Sequence, residues 1–160
     1  MITIKLDIGV PIETQEMILK YQNQYSNLLH VYYNRLIDGY SQTQCKHLDL
    51  NNVDMLNSWI AQSCVFEANS LVSKSKHIVF GGMKNFKSRM NDLISNDEFK
   101  KNRLSQIYSI GEPLKNGNRL FKIIDVDTIV FKPHKNEHYE LKLKCRSKKY
   151  RRYIELLMQH

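Results

Sequence analysis

The sequence predicts an α+β protein in which a small antiparallel β-barrel or sheet is interrupted by a helical insertion. Residues 2–8 alternate apolar and polar strictly, three stretches between residues 13 and 94 carry a three-and-four apolar period, and short β-rich runs follow Pro113.

The opening alternation puts Ile2, Ile4, Leu6 and Ile8 on one face of a half-buried strand that Gly9 and Pro11 stop. From Glu13 the period changes. Ile18, Tyr21, Tyr25, Leu28, Leu29, Tyr32 and Leu36 form the stripe of a long amphipathic helix, with Thr14 as N-cap and Gly39 as C-terminal stop. Residues 41–52 are polar and read as a loop or a short helical turn. A second helix is expected over 53–74, because Leu56, Trp59, Ile60, Cys64, Ala68, Leu71 and Val72 fall on one side. Gly81 and Gly82 break the pattern, which resumes over 83–94. Ser95 followed by Glu98 is a capping signal, and a basic turn with Lys100, Lys101 and Arg103 comes after it.

Past Pro113 the runs 119–124, 128–132 and 138–145 read as a β-meander with turns at 125–127 and 133–137. A lone N-terminal strand cannot leave its hydrogen bonds unpaired. It must therefore join the later strands, giving a discontinuous β domain of residues 1–10 and 111–160 around a helical lobe of residues 11–110.

The chain has 160 residues, 24 Lys+Arg against 16 Asp+Glu, and a net charge of +8. With 42% hydrophobic and 25% charged residues, the composition excludes a disordered tail and a collagen-like fibre. No run is apolar enough for a membrane span and the start lacks the pattern of a signal peptide, so a cytoplasmic protein is expected. Cys45, Cys64 and Cys145 stand far apart without a paired motif, which argues for reduced packing residues rather than a disulfide framework or a zinc site.

Templates for catalysis fail one after another. Gly111 to Gly117 lacks the Gly-Lys-Ser/Thr ending of a P-loop, and neither GxSxG nor HExxH occurs. His134 and His138 have a ligand spacing only on a helix, yet Pro133 precedes them and a strand follows. Asp7 before Ile8 and Gly9 has the look of a first nuclease carboxylate, but two-metal chemistry needs several converging acids, and Asp125 and Asp127 lie in a turn. A metal-dependent nuclease using Asp7, with His134 or His138 as base, stays a remote alternative. No catalytic residue, metal or cofactor is assigned.

Binding signals are better. Lys84, Asn85, Lys87 and Arg89 sit beside Gly81, Gly82 and Phe86, a combination that lets a backbone approach phosphates while a ring stacks, and Lys100 and Arg103 extend the basic surface. A helix N-terminus with solvated lysines and a core Phe explains the same residues equally well. Asn118 and Arg119 lie at a turn entering a strand, with polar groups able to meet phosphate or sugar.

Between residues 132 and 152, nine basic residues face two acids, Glu137 and Glu140. Among them Lys132, Lys142, Lys144, Arg146, Lys148 and Lys149 are the candidate phosphate ligands. Lys142 and Lys144 share one strand face while Leu141, Leu143 and Cys145 share the other, so a positive ridge lies over a buried side. Lysines guarding a sheet edge are the competing account; the charge imbalance favours phosphate. Tyr21, Tyr25, Tyr32 and Tyr33 are assigned to the core by their helical spacing. No basic amphipathic helix of the membrane-surface type is expected, which leaves nucleic acid rather than a membrane as the partner.

As an ordered set, strand 2–8, His30-Val31-Tyr32-Tyr33-Asn34, Val79-Phe80-Gly81-Gly82-Met83-Lys84-Asn85-Phe86, Phe99-Lys100-Lys101-Asn102-Arg103-Leu104 and Gly117-Asn118-Arg119-Leu120-Phe121 resemble the N-terminal part of TnpB-type proteins. These are the RNA-guided nucleases of transposons, related to type V CRISPR effectors. The resemblance implies a wedge-like β-barrel (WED) interrupted by a helical recognition (REC) lobe. It further implies a grip on the guide RNA scaffold and the guide–target DNA heteroduplex, and a part in contacting the short DNA motif beside the target. Lys84, Asn85, Arg103, Asn118 and Arg119 match the motif positions.

Family members that cut carry a RuvC domain with three acids and usually a zinc ribbon, and these 160 residues hold neither. The expectation is a nucleic-acid-binding module without nuclease activity of its own, with structured guide RNA, target DNA and a separate RuvC-containing polypeptide as partners. A stand-alone DNA-binding repressor and a protein-binding inhibitor of a related nuclease are the alternatives.

Overall fold

In the computed structural model, residues 7–49, 58–75, 77–111, 118–134, 136–144 and 147–159 are described. They form a mixed α+β structure of six helices and a four-stranded antiparallel sheet. The chain divides into two compact units, 1–18 with 109–160, and 19–108.

In the first unit the strands are β1 (Ile8–Gly9), β2 (Phe121–Asp125), β3 (Thr128–His134) and β4 (Glu137–Leu143), in the order β1-β4-β3-β2. Ile8 stands opposite Leu143 and Gly9 opposite Lys142, and the Lys144 N–H donates to the Asp7 carbonyl at 2.8 Å. The N-terminal strand thus finds its hydrogen-bond partner in the last strand, as an unpaired strand must. Residues 2–6 of the expected strand lie outside the described residues. Among those described the sheet is open, with β1 and β2 at its edges.

One expectation about this strand fails: Ile8 is 47% exposed. It shares a face with buried Leu143, but an edge strand has a neighbour on one flank only. In the central strand β3, Pro133 is fully buried and the register shifts between Phe131 and His134. A proline has no N–H for the ladder, and a bulge is where a sheet tolerates it.

After β4 the chain forms α6 (Lys148–Met158), a helix the strand-centred reading of this basic segment missed. Tyr150, Ile154 and Leu157 recur at four and three, and Ile154 is buried. The helix packs against β2, and Arg151 pairs with Asp127 at 2.9 Å. A basic amphipathic helix is therefore present where strands and turns were expected, with Ile154 packed within its unit. The signal was present, but eleven residues crowded with Lys and Arg hide a one-sided apolar stripe.

The second unit is built on α1 (Ile12–Ile37), whose first turns belong to the first unit. Its start differs from expectation: the Pro11 carbonyl accepts the Gln15 N–H at 3.1 Å, which puts Thr14 inside the first turn rather than at the cap. Its end is the expected one. Gly39 has φ +91°, Tyr40 N–H bonds to Arg35 and Gly39 N–H to Leu36, which is a Schellman closure.

Residues 42–49 form α2 (Gln42–Asp49), and α3 (Ser58–Lys74) follows; residues 53–57 of the expected helix lie outside the described residues. Tyr21, Tyr25, Leu29 and Tyr32 from α1, Cys45 from α2, and Ile60, Cys64 and Val65 from α3 are all buried. The Tyr25 hydroxyl donates to the Glu67 carboxylate, linking α1 to α3. The tyrosines therefore belong to the core.

The next helix, α4 (Gly82–Met90), stops four residues before the expected end. Asp92 takes the left-handed conformation at φ +53°, and Leu93 N–H closes onto Ser88 at 2.9 Å. The following α5 (Asn96–Lys101) is capped as the Ser-x-x-Glu signal requires, with Ser95 Oγ accepting the Glu98 N–H at 3.1 Å. Among the described residues no helix is long and apolar enough to cross a membrane.

Candidate nucleic-acid interface

The pairing register sorts the sheet's side chains into two faces, because residues directly opposite each other share a face. One carries Phe121, Ile123, Ile129, Phe131, Tyr139, Leu141 and Leu143, with the rings of Phe121 and Phe131 stacked at 5.0 Å. The other carries Lys122 and Glu140 on either side of Val130, Asp125 opposite Thr128, and Lys142 between Thr128 and Gly9. Lys144, two residues on, lies on that same face. Its stem crosses Gly9 so closely that a Cβ there would stand 2.8 Å from Cε. Gly9 is thus the seat over which a lysine stem lies.

These cations are not equivalent. Lys142 Nζ donates to Thr128 Oγ1 at 2.8 Å and lies 3.9 Å from Glu140, an exposed pair that holds the side chain weakly. Asp125, held below the usual carboxylate range chiefly by the Asp127 N–H, stays ionised nearby. Lys122 and Lys144 are exposed without a carboxylate partner among the described residues. Lys122 was absent from the sequence-based set, although its place between Phe121 and Ile123 is the alternation that would have found it.

The second concentration of charge is on α6. Lys148, Lys149, Arg152, Tyr153 and Leu156 line a cleft of about 540 Å³ without a carboxylate among the described lining residues. Lys148 and Lys149 occupy the first helical turn rather than a strand, and Arg152 and Tyr153 join them one turn on. Arg146 lies outside the described residues. Lys132 is exposed on β3, where its backbone N–H donates to the Leu120 carbonyl at 2.7 Å.

The helical unit treats its candidates differently. Asn85 is only 8% exposed; its amide donates to the Phe99 carbonyl at 3.2 Å and accepts from Asn102 at 3.1 Å. It fastens α4 to α5, and the expectation of a surface ligand is corrected for it. Gly81, at φ +80°, is required by the same junction, since a Cβ would meet Asn102 O at 2.8 Å and Arg103 Cγ at 2.9 Å. The Arg103 guanidinium lies 5.2 Å from the Phe99 ring. Arg89 pairs with Asp92 at 3.1 Å.

Lys84, Lys87 and Lys100 remain exposed, and so does Phe86. The cleft beside them, about 440 Å³, is lined by Lys84 but also by Glu98, so its charges oppose. Also in this unit, His30 rests on Phe80 with ring centroids 3.8 Å apart, and its buried Nε2 has no hydrogen-bond partner among the described residues. Burial, with the Arg103 charge as a smaller cause, pulls its pKa down to about 4.

At the entry to β2, Asn118 is structural too. Its Oδ1 accepts the N–H groups of Leu120 and Phe121 at 2.9 and 3.1 Å and the Ser109 hydroxyl at 2.9 Å, setting the turn that starts the strand. Arg119 beside it is exposed. Among the described residues no group of three His, Cys, Asp or Glu side chains is arranged to hold a metal ion.

No family model matches the chain, and neither does any curated protein or solved structure.

Proposed function

We propose that the chain is a nucleic-acid-binding module that holds a structured guide RNA and the guide–target DNA heteroduplex, in the manner of a TnpB-like WED and REC region. The observation that carries this reading is the sheet face bearing Lys122, Lys142 and Lys144, backed by an apolar face. A row of lysines on a rigid sheet meets a phosphate backbone without loss of order, and each neutralised phosphate releases counterions. The order of strand, helices and strands supports the finer assignment of a wedge-like β domain interrupted by a recognition lobe, its described sheet being open.

On this reading the module has no nuclease activity alone and works in the cytoplasm with a separate RuvC-containing polypeptide. Sequencing the RNA that copurifies with the protein tests it. One structured transcript should be enriched over cellular RNA; a preparation free of RNA contradicts the proposal. Incubation with magnesium and single-stranded or duplex DNA and RNA should give no cleavage. Cleavage abolished by Asp7→Ala would replace the reading with the metal-dependent nuclease.

A further inference from the structure

We infer that the outward face of α6 holds an unpaired stretch of single-stranded RNA, with phosphates on Lys148, Lys149 and Arg152 and a base against the Tyr153 ring. The inference rests on the nucleic-acid reading above and adds to it a second, aromatic-containing site away from the sheet lysines.

Helical spacing puts Lys148, Arg152 and Leu156 in one row at four-residue steps and Lys149 and Tyr153 in the adjoining row, and these five line the cleft of about 540 Å³. Among the described residues Arg151 is held by Asp127, whereas Lys148, Lys149 and Arg152 have no carboxylate partner. Two lysines in the first turn, with no acid there, also oppose the helix dipole. That placement lowers the stability of the helix and is relieved by an anion.

Tyr153 and Leu156 decide which polyanion fits. A duplex turns the faces of its stacked bases inward and offers phosphates, sugars and base edges, so an aromatic ring among the cations has no base to stack on. A single strand exposes a π-face with every base, and pairing of ring and cations suits it. A lipid surface fits less well, because a helix lying on a membrane turns its apolar stripe outward. In α6 the centre of that stripe, Ile154, is 3% exposed and already packed within its unit, and only the C-terminal end, at Leu156, Leu157 and Met158, is exposed.

Fluorescence anisotropy with a labelled oligouridine, an RNA hairpin of equal length and phosphatidylserine vesicles tests the inference on the full chain. Tyr153→Leu should weaken oligouridine binding roughly tenfold and leave the hairpin unchanged, while Tyr153→Phe retains wild-type affinity. Photocrosslinking of 4-thiouridine RNA to the wild-type protein should label the peptide containing Tyr153, a readout independent of how the variants fold. If wild type binds oligouridine but Tyr153→Leu binds it equally well and the crosslink maps elsewhere, the α6 site is wrong and the module reading stands. If wild type binds neither RNA, both fall. A preference of α6 for the vesicles, lost in Tyr153→Leu while oligouridine binding persists, overturns RNA as the occupant.

Discussion

In the helical unit Asn85, Arg89 and Arg103 are engaged with Phe99, Asp92 and one another's neighbours, whereas in the β unit Lys122, Lys144, Lys148, Lys149 and Arg152 carry no carboxylate partner among the described residues. The two clefts repeat the contrast. Lys84 shares its cleft with Glu98, while the α6 cleft gathers three cations and no described acid. In the helical unit Asn85 ties α4 to α5 and Arg89 and Arg103 are held locally, while Lys84, Lys87 and Lys100 stay exposed. In the β unit the cations of the α6 cleft face solvent with no described acid beside them, where a phosphate can meet them.

The contrast is broken most severely from within the helical core. Leu29→Ala, at a site only 1% exposed, should cost about 2–5 kcal/mol in urea unfolding. RNA affinity measured well below the midpoint should be unchanged, and a loss of affinity without a loss of stability would move binding into this unit. Gly81→Ala forces a side chain into left-handed backbone and against Asn102, at about 1–3 kcal/mol. A phosphate-approach role for the same glycine predicts instead weaker RNA binding at unaltered stability.

His30 gives the helical unit a pH signature. Its pKa is depressed to about 4 when folded, so the unfolded chain takes up the proton first and stability falls as pH drops from about 6.5 towards 4. Allowing for its partial exposure, the loss is about 1–2 kcal/mol. Glu67, whose pKa burial raises, has the opposite sign, losing stability as pH climbs above the ordinary carboxylate range. The difference between wild type and His30→Leu isolates the histidine, and parallel pH curves would refute its burial as a neutral ring. The smallest effect belongs to the β unit's exposed ion pair. Arg151→Ala should cost less than about 1 kcal/mol by thermal melting; a larger loss would mean that Asp127 holds α6 in place by more than a surface contact.

Much of the fold was legible because it rests on local rules. The tyrosine stripe of α1 matched its burial, Gly39 ended the helix in the left-handed conformation, and Ser95 capped α5. The need of a strand for a partner foretold that β1 would join the later strands. What failed depended on tertiary contacts. Nothing in the sequence around Asn85 or Asn118 says that their amides are consumed by Phe99, Asn102, Leu120 and Phe121. Lys122 stands in a legible alternation between Phe121 and Ile123, but that it shares a face with Lys142 follows from the register of β2, β3 and β4, and α6 was hidden because a high density of charge masked a stripe whose buried member is Ile154.

Salt dependence tests the central claim most directly. The affinity of the full chain for an RNA–DNA heteroduplex of about 20 base pairs should fall linearly on a log–log plot against salt. In Lys122→Gln/Lys142→Gln/Lys144→Gln the slope should shrink by roughly two to three, since each lost phosphate contact on a duplex removes about 0.9. A wild-type slope near zero, or a triple variant with the wild-type slope, would contradict the assignment of the sheet lysines to a phosphate backbone.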